Sequence, residues 1–132
     1  MKAFLDTNVL VAAVTSDTDR SQSARELLNE VDDGHTSVVN LMELRSVLAK
    51  KKAFEREHVE RIEDRIVRKT TVVFPDASTI VAANRRQRDA LLYPLDAIVL
   101  ATAESAECPL VSFDRELLEH GAVEPAELLD SD

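Results

Sequence analysis

The sequence predicts a three-layer α/β/α sandwich built around a central parallel sheet. Short β-branched and aliphatic runs alternate along the chain with longer segments in which apolar residues recur at helical spacing. Only 2 Gly and 4 Pro occur in 132 residues, so short polar turns must join these elements. One helical segment, which begins at Asp96, is almost wholly apolar and is expected to be buried. We expect residues 1–132 to form a single domain.

In the first half of the chain, predicted strands run almost directly into predicted helices. Apolar residues from Ala24 to Val31 repeat at helical spacing, and Gly34 is expected to cap the end of that helix. The expected elements are, in order, a strand over Lys2–Leu5, helices over Thr7–Val14 and Ser21–Val31, a strand over His35–Val39 and a helix over Asn40–Ala49.

The second half continues the same alternation. A β-branched strand is expected to end before Pro75, and the helix after it is expected to be capped by Asp76 or Ser78. The expected elements are a charged helix over Glu55–Lys69, a strand over Thr70–Phe74, helices over Asp76–Ala90 and Asp96–Ala106, a strand over Pro109–Phe113 and a short helix over Glu116–Glu119.

The charge is strongly acidic overall and unevenly distributed. A net charge of −9, from 25 acidic and 16 basic residues, argues against a protein that binds nucleic acid through a general basic surface. However, the segment from Arg45 to Arg88 holds 12 of the Lys and Arg residues and only 6 of the acids. This segment either contacts a polyanion or forms a solvated helix face with paired charges, and composition does not decide between the two.

Several classes of protein are disfavoured by simple counts. No apolar stretch approaches the ~20 residues of a membrane-spanning helix, so no membrane partner is expected. The apolar N-terminus meets the acidic Asp6 at once and does not resemble a signal peptide, which favours a cytoplasmic protein. The one cysteine, Cys108, can form neither an internal disulfide nor a thiolate metal site.

Four acids are predicted to converge at one edge of the sheet. Asp6 and Asp114 directly follow the first and last predicted strands, whose carboxyl ends share one edge in a parallel sheet. Glu43 lies one turn into a helix that follows another strand, and Asp96 begins the buried helix. Carboxylates brought together repel each other unless a cation offsets them, and an all-carboxylate set suits Mg²⁺ or Mn²⁺.

A simpler interpretation exists for each of these acids. Asp6, Asp96 and Asp114 each stand just before a predicted helix, where aspartate is a favoured N-cap. Glu43 could flank the core and pair with Arg45 or Lys50. Spacing alone does not separate the metal-site interpretation from these structural roles.

The segments around the four acids resemble the motifs of the PIN-domain nucleases. They occur in the family's order and extend from residue 4 to residue 117. They are Phe4–Leu10, a hydrophobic strand ending in Asp6-Thr7-Asn8; Ser37–Leu44, with Glu43 after a short strand and a polar turn; Leu95–Ala103, where Asp96 opens an alanine-rich helix; and Ser112–Leu117, which contains Asp114.

The resemblance implies a divalent-metal endoribonuclease, and the length without an added domain looks most like the VapC toxins of toxin–antitoxin pairs. By position, Asp6, Glu43, Asp96 and Asp114 would be the catalytic ligands of one or two Mg²⁺ or Mn²⁺ ions, directly or through water. Three further positions match the motifs: Asn8 and Ser112 would orient those ligands, and Thr7 would help through its hydroxyl or backbone amide. Many relatives carry one more Asp after the fourth motif, where this chain has only Glu116, which we interpret chiefly as a first-turn helix acid.

The same resemblance implies a homodimer that a cognate antitoxin protein holds inactive. The expected reaction is hydrolysis of RNA, with flanking phosphates held by basic residues of the middle segment: Arg45, Lys50, Lys51 and Lys52. Two other classes remain open at this point: a catalytically silent PIN-like scaffold that binds RNA or protein, and a phosphoacceptor module of the receiver type. The presence of all four acids argues against the first, and the positions of Lys69 and of the Lys50–Lys52 run argue against the second.

Overall fold

A computed structural model describes residues 1–16 and 19–131 of the chain. Within these residues, four strands form one sheet in the order β3-β2-β1-β4, and every neighbouring pair is parallel. The strands are β1 (Lys2–Leu5), β2 (Asp33–Ser37), β3 (Thr70–Val73) and β4 (Leu110–Val111). The chain after β4 adds a parallel bridge between Val111 and Val123, which extends the sheet at that edge.

Helices surround the sheet. In the described ranges they are α1 (Thr7–Val14), α2 (Asp19–Glu30), α3 (Val38–Ser46), α4 (Arg56–Lys69), α5 (Ala77–Ala90), α6 (Pro94–Ser105), α7 (Arg115–Glu119) and α8 (Pro125–Asp130). One turn of π-helix, Val47–Lys51, continues α3 without a break. None of these helices is both long and apolar enough to cross a lipid bilayer.

Two apolar cores lie on opposite faces of the sheet. Alternate β1 residues point to opposite sides, so Ala3 and Leu5 join one core while Phe4 joins the other. The first core is completed by helices α1 to α4, and the second by α5, α6 and α7. This arrangement confirms the predicted three-layer α/β/α sandwich with a central parallel sheet.

The main difference from the expected elements lies between α2 and α3. Gly34 does not cap a helix: α2 ends at Glu30, and Gly34 lies within β2. A Cβ at Gly34 would lie 3.3 Å from Cγ1 of Val31, so the missing side chain allows this close packing. The strand ends at Ser37, and α3 starts two residues before the predicted Asn40.

The local cause of the early start of α3 is a capping bond. Ser37 has extended backbone angles, and its side-chain oxygen accepts a hydrogen bond from the backbone N–H of Asn40. A serine N-cap of this kind satisfies a helix donor that would otherwise lack a partner. As a result, Asn40 lies inside the first turn of α3, with its side chain fully buried.

Candidate active site

One pocket of about 250 Å³ lies at the carboxyl edge of the sheet, beyond the ends of β1 and β4. All four predicted acids line it. The lining residues are Asp6, Thr7, Asn8, Val11, Glu43, Val47, Asp96 and Asp114. The structure therefore brings together side chains that are up to 108 positions apart in the sequence (Asp6 to Asp114).

Asp6 is the most deeply buried of the four acids, with 6% of its surface exposed. Its Oδ1 accepts hydrogen bonds from the Thr7 amide at 2.9 Å and from Asn40 Nδ2 at 3.2 Å. Its Oδ2 accepts one from the Ser112 hydroxyl at 2.7 Å. Burial nevertheless raises the pKa of Asp6, because these donors offset only part of the lost solvation; Glu43 and Asp114 raise it further.

Ser112 and Asn8 join the loop after β4 to the start of α1. The fully buried Ser112 hydroxyl, which donates to Asp6, accepts from the backbone N–H of Asp114 at 3.0 Å and from Asn8 Nδ2 at 3.2 Å. Asn8 Oδ1 accepts from the backbone N–H of Phe113 at 3.1 Å. These bonds fix Asp6 and Asp114 relative to each other.

Asp114 is the N-cap of α7. Its Oδ1 accepts from the backbone N–H groups of Glu116 at 2.8 Å and Leu117 at 3.3 Å. Both bonds use the same oxygen, so capping leaves Oδ2 available for a second partner. For Asp114 and for the α1 N-cap Asp6, a capping role and a metal-binding role are therefore compatible.

Asp96 is different, because it caps no helix. The N-cap of α6 is Tyr93, followed by Pro94, and Asp96 lies in the first turn. Its carboxylate is half-buried and accepts no hydrogen bond from the described residues. Burial, together with the charges of Asp114, Asp6, Glu116 and Glu43, raises the pKa of Asp96 to about 6.

A hard divalent cation fits this set of groups. The pocket offers carboxylate oxygens from four acids, and the part of the chain that the structure describes gives the half-buried Asp96 no donor to offset its charge. In the described ranges, no three His, Cys, Asp or Glu side chains are close enough to hold one ion directly between them. Mg²⁺ commonly keeps several waters and takes one or two carboxylates, so an acid-lined pocket suits it better than a tight cage would.

Other predicted site residues lie outside this pocket. Glu116 lies in the first turn of α7 and acts on the site through its charge, which helps to raise the pKa of Asp96. Arg45 forms a two-pronged ion pair with Glu63 of α4, with N–O distances of 2.8 and 2.6 Å. Lys50, Lys51 and Lys52 are exposed on the π-helical turn and at its end.

Two contacts near the pocket were not predicted from the sequence. Asn40 is a polar residue four positions before the core residue Leu44, so its place on the apolar face of α3 was a usable signal. The guanidinium of Arg20 lies 5.0 Å from the ring centroid of Phe113, the neighbour of Asp114. Nothing in the sequence pattern connects these two residues.

Solved structures of about the same size share this fold. A toxin–antitoxin complex from Klebsiella pneumoniae matches with a TM-score of 0.75 and 22% identity over 93% of this chain and 97% of that chain. VapC20 of Mycobacterium tuberculosis, described as a sarcin-ricin loop cleaving toxin, matches with a TM-score of 0.77 and 22% identity over 92% and 97%. DNA-bound VapBC from Salmonella typhimurium matches with a TM-score of 0.74 and 19% identity over 94% and 96%.

Sequence comparison supplies the family. Curated proteins compared with this chain give no significant match. The family model of the PIN domain matches residues 3–123, a range that contains β2 to β4, all of β1 except Lys2, and all four pocket acids. Because this match covers most of the chain, the protein belongs to the PIN domain family.

Proposed function

We propose that this protein is a divalent-metal-dependent endoribonuclease and the toxin of a toxin–antitoxin pair. The observation that carries the proposal is the pocket itself, in which four acids from four separate segments meet at the carboxyl edge of a parallel sheet. The pKa values of Asp6 and Asp96 are raised, because burial and the neighbouring carboxylates disfavour their charged forms; a bound cation would offset this negative charge. Membership of the PIN domain family supports nuclease chemistry and leaves the receiver-type alternative without support.

In this proposal Asp6, Glu43, Asp96 and Asp114 hold one or two Mg²⁺ or Mn²⁺ ions, directly or through water. When bound, such an ion acidifies water and offsets the charge that develops on a phosphodiester. Ser112, Asn8 and Thr7 hold Asp6 and the Asp114 loop in fixed positions before substrate arrives. The overall reaction adds water at phosphorus and releases the 3′ oxygen, which leaves a 3′ hydroxyl and a 5′ phosphate.

The partners are part of the same proposal. Structures that share the fold include toxin–antitoxin complexes, and one of them is described as a toxin that cleaves the sarcin-ricin loop. We propose RNA as the substrate, a cognate antitoxin as the inhibitor, a homodimer as the assembly and the cytoplasm as the location. Co-expression with each neighbouring reading frame tests the antitoxin: one neighbour should bind this chain and restore growth, and binding by none would contradict the idea.

The test of the enzymatic proposal is cleavage of a structured RNA by the purified protein in Mg²⁺ or Mn²⁺. Cutting should coelute with the protein, and the products should carry 5′ phosphates. A Glu43→Gln preparation purified in parallel controls for a contaminating nuclease. Because Glu43 is the exposed acid of the four, this variant should cut about tenfold more slowly. Equal cutting by both preparations would contradict the proposal, and binding of RNA without cutting would favour the silent scaffold.

The exposed lysines provide a separate prediction about RNA binding. Lys50 lies seven residues after Glu43 on a continuous helical segment, roughly 10 Å along its axis at about 1.5 Å per residue. We expect the double variant Lys50→Gln/Lys51→Gln to bind RNA about three- to tenfold more weakly at low salt. The slope of log affinity against log salt should fall by about 0.7 to 0.9 for each lost phosphate contact.

Filter binding of RNA at several salt concentrations would measure both effects. Lys2→Gln is the matched control, because Lys2 is the first residue of β1 and lies at the amino ends of the strands, away from the pocket. Arg45→Gln should have a mixed effect, because it also removes the ion pair with Glu63. If the lysine variant and the Lys2 control bind RNA with the same salt slope, the phosphates lie elsewhere.

A further inference from the structure

The side chain of Asn40 joins α3, which carries Glu43, to the start of α1 next to Asp6 through three hydrogen bonds. Its side-chain Oδ1 accepts from the Ser37 hydroxyl at 2.6 Å. Its Nδ2 donates to Asp6 Oδ1 at 3.2 Å and to the Thr7 hydroxyl at 3.1 Å. The side chain is fully buried, so water does not compete for these bonds.

The position of Asn40 in α3 gives these bonds a consequence for Glu43. Asn40 and Glu43 are three residues apart in one helix, so their backbone positions are rigidly related. The bonds to Asp6 and Thr7 fasten this first turn of α3 to the start of α1. The side-chain amide of Asn40 therefore helps to fix the placement of Asp6 relative to Glu43, alongside a 3.4 Å bond from the Thr7 hydroxyl to the Asn40 carbonyl oxygen.

We propose that Asn40 is a positioning residue that fixes Asp6 relative to the helix carrying Glu43, and so sets the affinity of the pocket for a divalent cation. The inference rests on the proposed function, because it assumes that Asp6 and Glu43 both take part in binding the ion. Asn40 itself contacts no reacting group; it acts through the orientation of Asp6.

An amide is the group that this position requires. One end must accept from Ser37, and the other end must donate twice, to Asp6 and to Thr7. An alanine at position 40 removes all three bonds, while a serine is too short to reach both Ser37 and Asp6. In either variant Asp6 keeps its bonds to the Thr7 amide and to Ser112 but loses the one that ties it to α3.

The test is direct measurement of Mn²⁺ binding by electron paramagnetic resonance, at a temperature where circular dichroism shows every variant folded. Asn40→Ala and Asn40→Ser should each bind Mn²⁺ about 10- to 100-fold more weakly than wild type. Cleavage by the variants should recover toward the wild-type rate as Mn²⁺ is raised, because the defect lies in ion affinity.

Thr36→Val is the matched control for loss of a buried hydrogen bond. The Thr36 hydroxyl is fully buried and donates to the carbonyl of Leu5 at 2.9 Å, but it contacts none of the pocket acids. This variant should melt at a lower temperature and still bind Mn²⁺ like wild type. A general loosening of the fold would weaken Mn²⁺ binding in Thr36→Val as well.

Three results would overturn the positioning role of Asn40: unchanged Mn²⁺ affinity in the Asn40 variants, an equal loss in Thr36→Val, or a failure of both Asn40 variants to fold. Failure of the proposed function looks different. In that case wild type itself binds no Mn²⁺, which overturns the proposed metal site and, with it, the positioning role of Asn40.

Discussion

Replacement of Asp96 by asparagine should nearly abolish RNA cleavage and, at the same time, make the metal-free protein more stable. Cleavage should fall about 10²- to 10³-fold, because the variant loses a carboxylate that accepts no hydrogen bond within residues 1–16 and 19–131 and that a cation would otherwise use. The melting temperature without metal should rise by about 2–5 °C, because a neutral amide costs less to bury than a carboxylate and is not repelled by Asp114 and Asp6.

The stability effect has a definite dependence on pH. The pKa of Asp96 is about 6 in the folded chain, above the ordinary value of 3.8, so the native state holds this proton more tightly than the unfolded state. The contribution of Asp96 to stability therefore falls as pH rises from about 4 through about 6, and its full penalty is present above that range. The difference in melting temperature between Asp96→Asn and wild type should be small near pH 4 and largest above pH 6.

Thermal melts in a chelating buffer at several pH values would measure this difference. Asp89→Asn makes the same chemical change at an exposed aspartate of α5 and should leave both stability and cleavage nearly unchanged. A fall in stability for Asp96→Asn at pH 7 would show that Asp96 has a structural role. Full activity in this variant would exclude Asp96 from the active site.

The features predictable from the sequence are those set by short-range pattern. β1 and α1 begin and end where predicted, because a run of core residues meets an aspartate N-cap directly. The fold class followed from the alternation of strands and helices, and the PIN resemblance followed from four motifs in order. The meeting of the four acids in one pocket was predicted from the rule that parallel strands share a carboxyl edge.

The features that could not be predicted depend on contacts made only in the folded chain. Ser37 is both the last residue of β2 and the N-cap of α3. The second role depends on its bonds to Asn40, which the sequence alone does not reveal. The π-helical turn after α3 has no distinct sequence signal, and the short helix α8 has only Pro125 at its first position and an acid in its first turn. Arg45 was predicted to bind RNA phosphates, but in the fold it pairs with Glu63, which lies 18 residues away on another helix.

Sequence spacing did not separate a metal-binding role from an N-cap role for these acids. Asp96 is the acid for which the structure separates the two roles. Asp6 and Asp114 do cap helices, so their presence alone would be explained without any ion. Asp96 caps nothing and gains no donor from the described residues, yet it remains among three other acids. Unfavourable burial of this kind is typical of functional sites, where stability is given up for activity.

Removal of divalent ions with excess EDTA should reduce RNA cleavage to the level of RNA incubated without protein, and excess Mg²⁺ or Mn²⁺ should restore it. An acid pocket without a cation repels the phosphodiester as well as its own members, so neither binding nor hydrolysis is favoured there. A variant lacking only RNA contacts, such as Lys50→Gln/Lys51→Gln, should keep the same dependence on metal.

The same ion should also stabilise the folded protein. This effect distinguishes an ion bound by the protein from an ion that only the RNA requires. Binding to the native state alone stabilises a protein by about 2.7 kcal/mol at a ligand concentration one hundred times Kd. Mn²⁺ should therefore raise the melting temperature of wild type by several degrees at pH 7 without RNA present. The increase should be much smaller near pH 4, where Asp96 is protonated, and in Asp96→Asn. If EDTA stops cleavage but Mn²⁺ leaves every melting temperature unchanged, the ion is needed by the RNA, and the four acids act chiefly as helix caps and surface charges.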